Sequence, residues 1–160
     1  MAVDAALHGP DTAIVWLDQD GPDVGLLGLA AFGGGGTGQI FRYAVEDGIA
    51  RAAVAACGGA AWIAWFRPLG DGGGELELAR IDIGGNGIER VTVRSGALRV
   101  EAVDVDCGGG RIWVAWTERT TTGHAFVRSV RIADLARSSV RDLGAADRWA
   151  ISVGATAGRA

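Results

Sequence analysis

Three aspartates fall within six residues in Asp18-Gln-Asp20-Gly-Pro-Asp23. Carboxylates at this spacing are what a calcium loop needs, because the ion collects several hard oxygen ligands around one centre. Asp18, Asp20 and Asp23 are therefore the candidate metal ligands. The stretch is shorter than an EF-hand loop and has no Glu at its far end, and its Asp-Gly and Pro equally make a hairpin connection. The corresponding loops further along, Arg67–Gly74 and Arg119–Gly123, lack the pattern. A second carboxylate set, Asp4, Asp104 and Asp106, sits in runs of small residues. If those runs are strands around a common axis, the three line a channel and meet a cation or the polar groups of a ligand; otherwise they form a solvated wall.

Other reactive types are sparse. Cys57 and Cys107 stand at the same point of two similar stretches, and a disulfide needs Cα atoms within about 7 Å. Equivalent points on neighbouring repeats are usually farther apart, so the expectation is two reduced, buried thiols acting as small apolar groups. His8 and His124 have no partner at ligand or triad spacing, and no Gly-x-Ser-x-Gly elbow is present. The run Gly33–Gly36 lacks the Gly-Lys-Ser/Thr ending of a phosphate loop. Arg80 and Arg131 each follow a tryptophan by fifteen residues, but Ala31 takes that place in the first stretch. No catalytic residue is assigned and no cofactor is expected.

The elements that must position these residues repeat. Residues 102–116 read AVDVDCGGGRIWVAW, residues 2–16 read AVDAALHGPDTAIVW, and residues 52–65 read AAVAACGGAAWIAW. Their closing tryptophans, Trp16, Trp65 and Trp116, are 49 and 51 residues apart. A fourth opening appears in Trp149-Ala-Ile-Ser-Val-Gly-Ala155. Such self-similarity identifies a repeat architecture. The units span 2–49, 51–99 and 100–147, with a partial fourth over 148–160.

Each unit divides into four short apolar runs separated by Gly-Gly, Asp-Gly or Gly-Pro, the signature of strands joined by hairpins. They are Ala2–Leu7, Thr12–Leu17, Val24–Phe32 and Gln39–Val45; Ala52–Cys57, Ala60–Phe66, Glu75–Ile83 and Gly87–Ser95; and Val100–Cys107, Arg111–Glu118, Ala125–Ala133 and Ser138–Ala145. No segment holds a helical period for three turns. The fold class is all-β. Four-stranded units of about 50 residues match β-propeller blades. Small residues dominate the first run, as crowding around an axis demands. Trp62 and Trp65, like Trp113 and Trp116, are three apart and so point to opposite faces of a strand. Both faces are buried only when a sheet lies between two neighbours, which makes Trp16, Trp62, Trp65, Trp113 and Trp116 the structural core.

Ala102–Trp116 and Ala52–Trp65 resemble blades of the sialidase-like and related bacterial repeat propellers, in which a Gly-rich turn precedes an aromatic-rich second strand ending in Trp. The resemblance implies a propeller; the Asp-box of that family, Ser-x-Asp-x-Gly-x-x-Trp, is absent from all three units. A sialidase would also imply a Tyr paired with a Glu and an arginine triad. Tyr43 is the single Tyr, and Glu46, three residues on, faces the other side of a strand.

Composition narrows the partners. With 160 residues, 49% hydrophobic and 21% charged, the chain is globular rather than disordered. A formal charge of −4 disfavours nucleic acid and anionic membrane surfaces, which call for a basic patch. No apolar run reaches the roughly 18 residues of a membrane span and nothing resembles a secretory signal. Reduced thiols with no signal lean towards the cytoplasm. All basic residues are Arg, as in GC-rich genomes.

Three blades fall short of the roughly four to eight that close a propeller. Three completions follow: a homodimer forming a six-bladed ring, with residues 149–155 of one chain supplying an inner strand to the other; the remainder of a larger propeller; or, as the alternative fold, a β-trefoil. The functional expectation is a non-enzymatic, lectin-like module binding carbohydrate or protein at one rim. The alternatives are a fragment of a sialidase-like glycoside hydrolase, marked by clustered Arg, Glu and Asp at a channel mouth, and a purely structural assembly unit.

Overall fold

The computed structural model describes residues 2–8, 11–19, 24–32, 38–46, 51–70, 72–82, 88–97, 99–119, 124–131, 135–145 and 151–154. Side chains are described from residue 51 onward, except 127, 129–131 and 137–139. Within the described residues, each of the apolar runs falls on a strand. The first unit gives β1 (Ala2–His8), β2 (Asp11–Gln19), β3 (Val24–Phe32) and β4 (Gly38–Glu46). The second gives β5 (Arg51–Cys57), β6 (Ala60–Pro68), β7 (Gly74–Asp82) and β8 (Ile88–Gly96). The third gives β9 (Val100–Gly108), β10 (Arg111–Glu118), β11 (His124–Arg131) and β12 (Arg137–Gly144).

Among the described residues, each unit is its own four-stranded antiparallel meander, so the fold is all-β in three sheets. The first strands of the units are neighbours: β5 lies against β1 on one side and β9 on the other. Small residues permit that approach, and Ala53, Ala55 and Ala56 of β5 are all buried. The repeat is also a repeat of register. Trp16 lies opposite Val3, Trp65 opposite Ala52 and Trp116 opposite Val103.

The second sheet is enclosed. Seven consecutive residues of β6, Ala60–Phe66, are buried, which a strand with one wet face would not show. Trp62 faces the third sheet within a cluster that includes Val105, Ile112, Val114 and Trp116. Trp65 points the other way and is 1% exposed. Arg80 lies 6.0 Å from the Trp62 ring centre and Arg90 5.7 Å from that of Trp65, distances at which a guanidinium is attracted by the ring face.

The cysteines depart from the sequence expectation of two reduced thiols: Cys57 and Cys107 form a disulfide, with Cα atoms 6.5 Å apart. A single-residue offset explains it. Gly58 and Gly59 form the two-residue turn after Cys57, both at positive φ, and Gly109 and Gly110 do the same in the third unit. Cys57 therefore pairs opposite Ala60 beside its turn, whereas Cys107 stands one residue deeper, opposite Ile112. One step along a strand reverses the face. Cys57 looks towards the third sheet, Cys107 looks back, and the thiols meet.

Of the fourth opening stretch only Ile151–Gly154 are described, and within the chain they join no ladder. Their described contact is the Val153 N–H, which donates to Asp104 Oδ2 at 2.6 Å in the same chain.

Candidate binding cleft between the second and third sheets

The seam between the second and third sheets is closed at one end and open at the other. At the closed end stands the disulfide. Along its length, Trp116 stacks on Phe126 at 5.8 Å and donates from Nε1 to Glu118 Oε1 at 3.1 Å. Glu118 also pairs with Arg94 of β8. Arg128 crosses the seam, almost fully buried, and donates from Nη1 to the Val93 carbonyl. Val93 is the residue skipped where the β7–β8 register shifts, so its carbonyl lies at a bulge, and the arginine supplies a partner there.

At the open end, where β5 and β9 begin, lies a cavity of about 410 Å³. Phe66 and Val100, both buried, form its apolar floor. One wall is the β6–β7 connection, held by hydrogen bonds from Leu69 N to Gly73 O at 2.9 Å and from Gly72 N to Leu69 O at 3.2 Å. Gly72 has φ +82°, a conformation that favours glycine. The opposite wall is Arg99, whose carbonyl accepts from the Arg119 N–H at 2.8 Å.

Charged groups converge at this mouth. Arg51 Nε donates to the Glu101 carbonyl at 2.8 Å, tying β5 to β9. The Glu101 carboxylate, mostly buried, has Arg119 Nε 3.3 Å and Arg99 Nε 3.8 Å from its Oε1. Two guanidiniums thus approach the Glu101 carboxylate and a third binds its main-chain carbonyl, so three arginines meet one glutamate here.

The structure distributes the sequence-derived candidates differently. Asp104 and Asp106 share a face of β9, opposite Ala115 and Trp113. Asp104 Oδ1 accepts from Val105 N at 2.9 Å while its Oδ2 receives Val153, and Asp106 Oδ1 accepts from Cys107 N at 2.8 Å. Both carboxylates thus accept backbone N–H groups. Asp4 lies on β1 opposite Val15, and Asp18 on β2 opposite Leu26, at the level of backbone only. Asp20 and Asp23 lie outside the described residues, and among those described no group of three His, Cys, Asp or Glu could hold a metal ion. Trp62, Trp65 and Trp116 are core, whereas Trp113 is half-buried; Trp16 is placed by its backbone alone. Arg80 pairs with Asp82 at 2.8 Å and Glu89 at 3.6 Å, both within its own sheet. His124 Nδ1 is 3.5 Å from Asp142 Oδ2 and its ring stacks on Phe126.

Sequence reasoning missed the cleft residues Arg51, Arg99 and Glu101, and Arg119 beside them. A signal existed, since an arginine stands at or just before the opening strand of both the second and third units.

No family model matches the chain, and no curated protein matches it by sequence. Among solved structures it is similar to the crystal structure of an ACO/RPE65 chimera, at 12% identity with a TM-score of 0.49 over 84% of this chain. The chain spans 35% of the length of that protein.

Proposed function

We propose that the chain is a half-propeller, three blades that a second copy completes into a six-bladed ring, and that the ring is a non-enzymatic ligand-binding module. The supporting observation is a pair of tryptophans. Trp62 lies opposite Ala55 in the second sheet and is fully buried; Trp113 lies opposite Asp106 at the matching place in the third and is only half-buried. The third sheet therefore offers the face with which the second sheet meets its neighbour. The first sheet repeats the backbone register of the others, so in a two-fold assembly it takes the place of the next unit beside the Trp113 face. Two such contacts close a ring with two-fold symmetry. A trefoil fits less well, because its repeats share a barrel, whereas each four-stranded ladder described here stays within its unit.

Ligand binding is the better reading of the open cleft than hydrolysis. Glycoside cleavage requires two carboxyl groups facing one bond. Among the described lining residues the carboxylate is Glu101, and it is engaged by arginines. Small-angle scattering tests the assembly: a closed ring gives a flat disc of twice the 16.4 kDa chain mass, and a half-ring gives an open arc of one chain mass. Because Val153 is bonded to Asp104 of its own chain, on the face that carries Trp113, truncation after residue 148 should leave the dimer intact or tighten it; loss of the dimer would restore strand exchange.

A further inference from the structure

We infer that the cleft at the start of β5 and β9 binds small molecules that join an apolar body to a carboxylate. The inference rests on reading the chain as a binding module, but not on ring closure, since every residue named for the cleft belongs to one chain. Its volume of about 410 Å³ falls within the range of small-molecule sites, which is about 300–1,000 Å³. Phe66 and Val100 provide an apolar floor, and Arg51 and Arg99 stand at the mouth. A ligand with an apolar body and one anionic group matches both surfaces at once.

Glu101 identifies the anion. A charge-assisted hydrogen bond between guanidinium and carboxylate closes to about 2.7–2.9 Å and is commonly bidentate. Here one oxygen, Oε1, serves Arg119 at 3.3 Å and Arg99 at 3.8 Å. The protein's own carboxylate thus holds Arg99 loosely, at 3.8 Å. A ligand carboxylate free to rotate meets the planar fork of Arg99, which is 70% exposed, with both oxygens. Glu101 thus acts as an internal stand-in that the ligand displaces.

The test uses benzoate titrated into the ¹⁵N-labelled full chain, followed by amide shifts at Gly72, Arg99, Val100 and Glu101, with benzamidine and benzyl alcohol as comparisons. Saturable shifts are expected with benzoate and not with the other two. Arg99→Gln, at an exposed position that the fold tolerates, should weaken benzoate by about tenfold. Glu101→Gln removes the competing carboxylate and should tighten benzoate, whereas a merely structural Glu101 would not. Absence of saturation, equal binding of benzamidine, or weaker binding in Glu101→Gln would each overturn the inference. The mass of the same samples separates the two claims. A monomer that binds benzoate keeps the site and removes the ring, and a dimer indifferent to benzoate does the reverse.

Discussion

Trp62 and Trp113 stand at one place in two sheets built to one plan, and their surroundings differ. Around Trp62, β5 and β6 are buried on both faces, down to the alanines of the inner strand. Around Trp113, β9 keeps only Val100 and Val105 buried, and its outward positions are the aspartates Asp104 and Asp106. On β12, Leu143 is 58% exposed. Burial of a strand on both faces is a property of its neighbours rather than of its own sequence. The third sheet has the residues of an enclosed sheet on the side facing the second, and polar substitutes on the inner strand of the other.

The comparison is tested most severely by truncating the tryptophans. Trp62→Ala, Trp65→Ala and Trp116→Ala should each destabilise by about 3–5 kcal/mol in urea unfolding. Trp113→Ala should cost at most about 1.5 kcal/mol in the isolated chain, in line with its partial burial. Equal losses at all four would mean that the third sheet is as enclosed as the second.

Next comes the staple. Replacing Cys57 and Cys107 together by Ser closes no loop in the unfolded chain and should cost about 2–4 kcal/mol. A protein indifferent to the change would show that side-chain packing alone holds the second and third sheets together. Smaller again is Arg128→Met, which keeps the apolar stem and strips the Val93 carbonyl of its donor. A loss of about 1–3 kcal/mol is expected, from the same unfolding curves; no loss would mean that water satisfies the bulge.

Much of the fold was legible because the signals were local. Gly-Gly turns between runs of Ala, Val, Ile and Trp placed the hairpins at Cys57–Ala60 and Gly108–Arg111, and the spacing of Trp16, Trp65 and Trp116 set the repeat. The disulfide escaped because aligning Cys57 with Cys107 by sequence hides their one-residue difference in distance from the turn. A strand converts that difference into opposite faces. The cleft escaped for another reason. Arg51 and Glu101 belong to separate sheets, and only the approach of β5 to β9 brings them together. Arg128 is similar: the shift at Val93 that gives it a task is a matter of register, which composition does not encode.

The central claim is that a second copy covers the Trp113 face, and light scattering across a dilution series measures it directly. The account predicts a mass of twice 16.4 kDa for the unaltered chain, and one chain mass for Trp113→Arg with its β-sheet circular dichroism retained. A well-folded monomer at every concentration, or a dimer unmoved by Trp113→Arg, would contradict it.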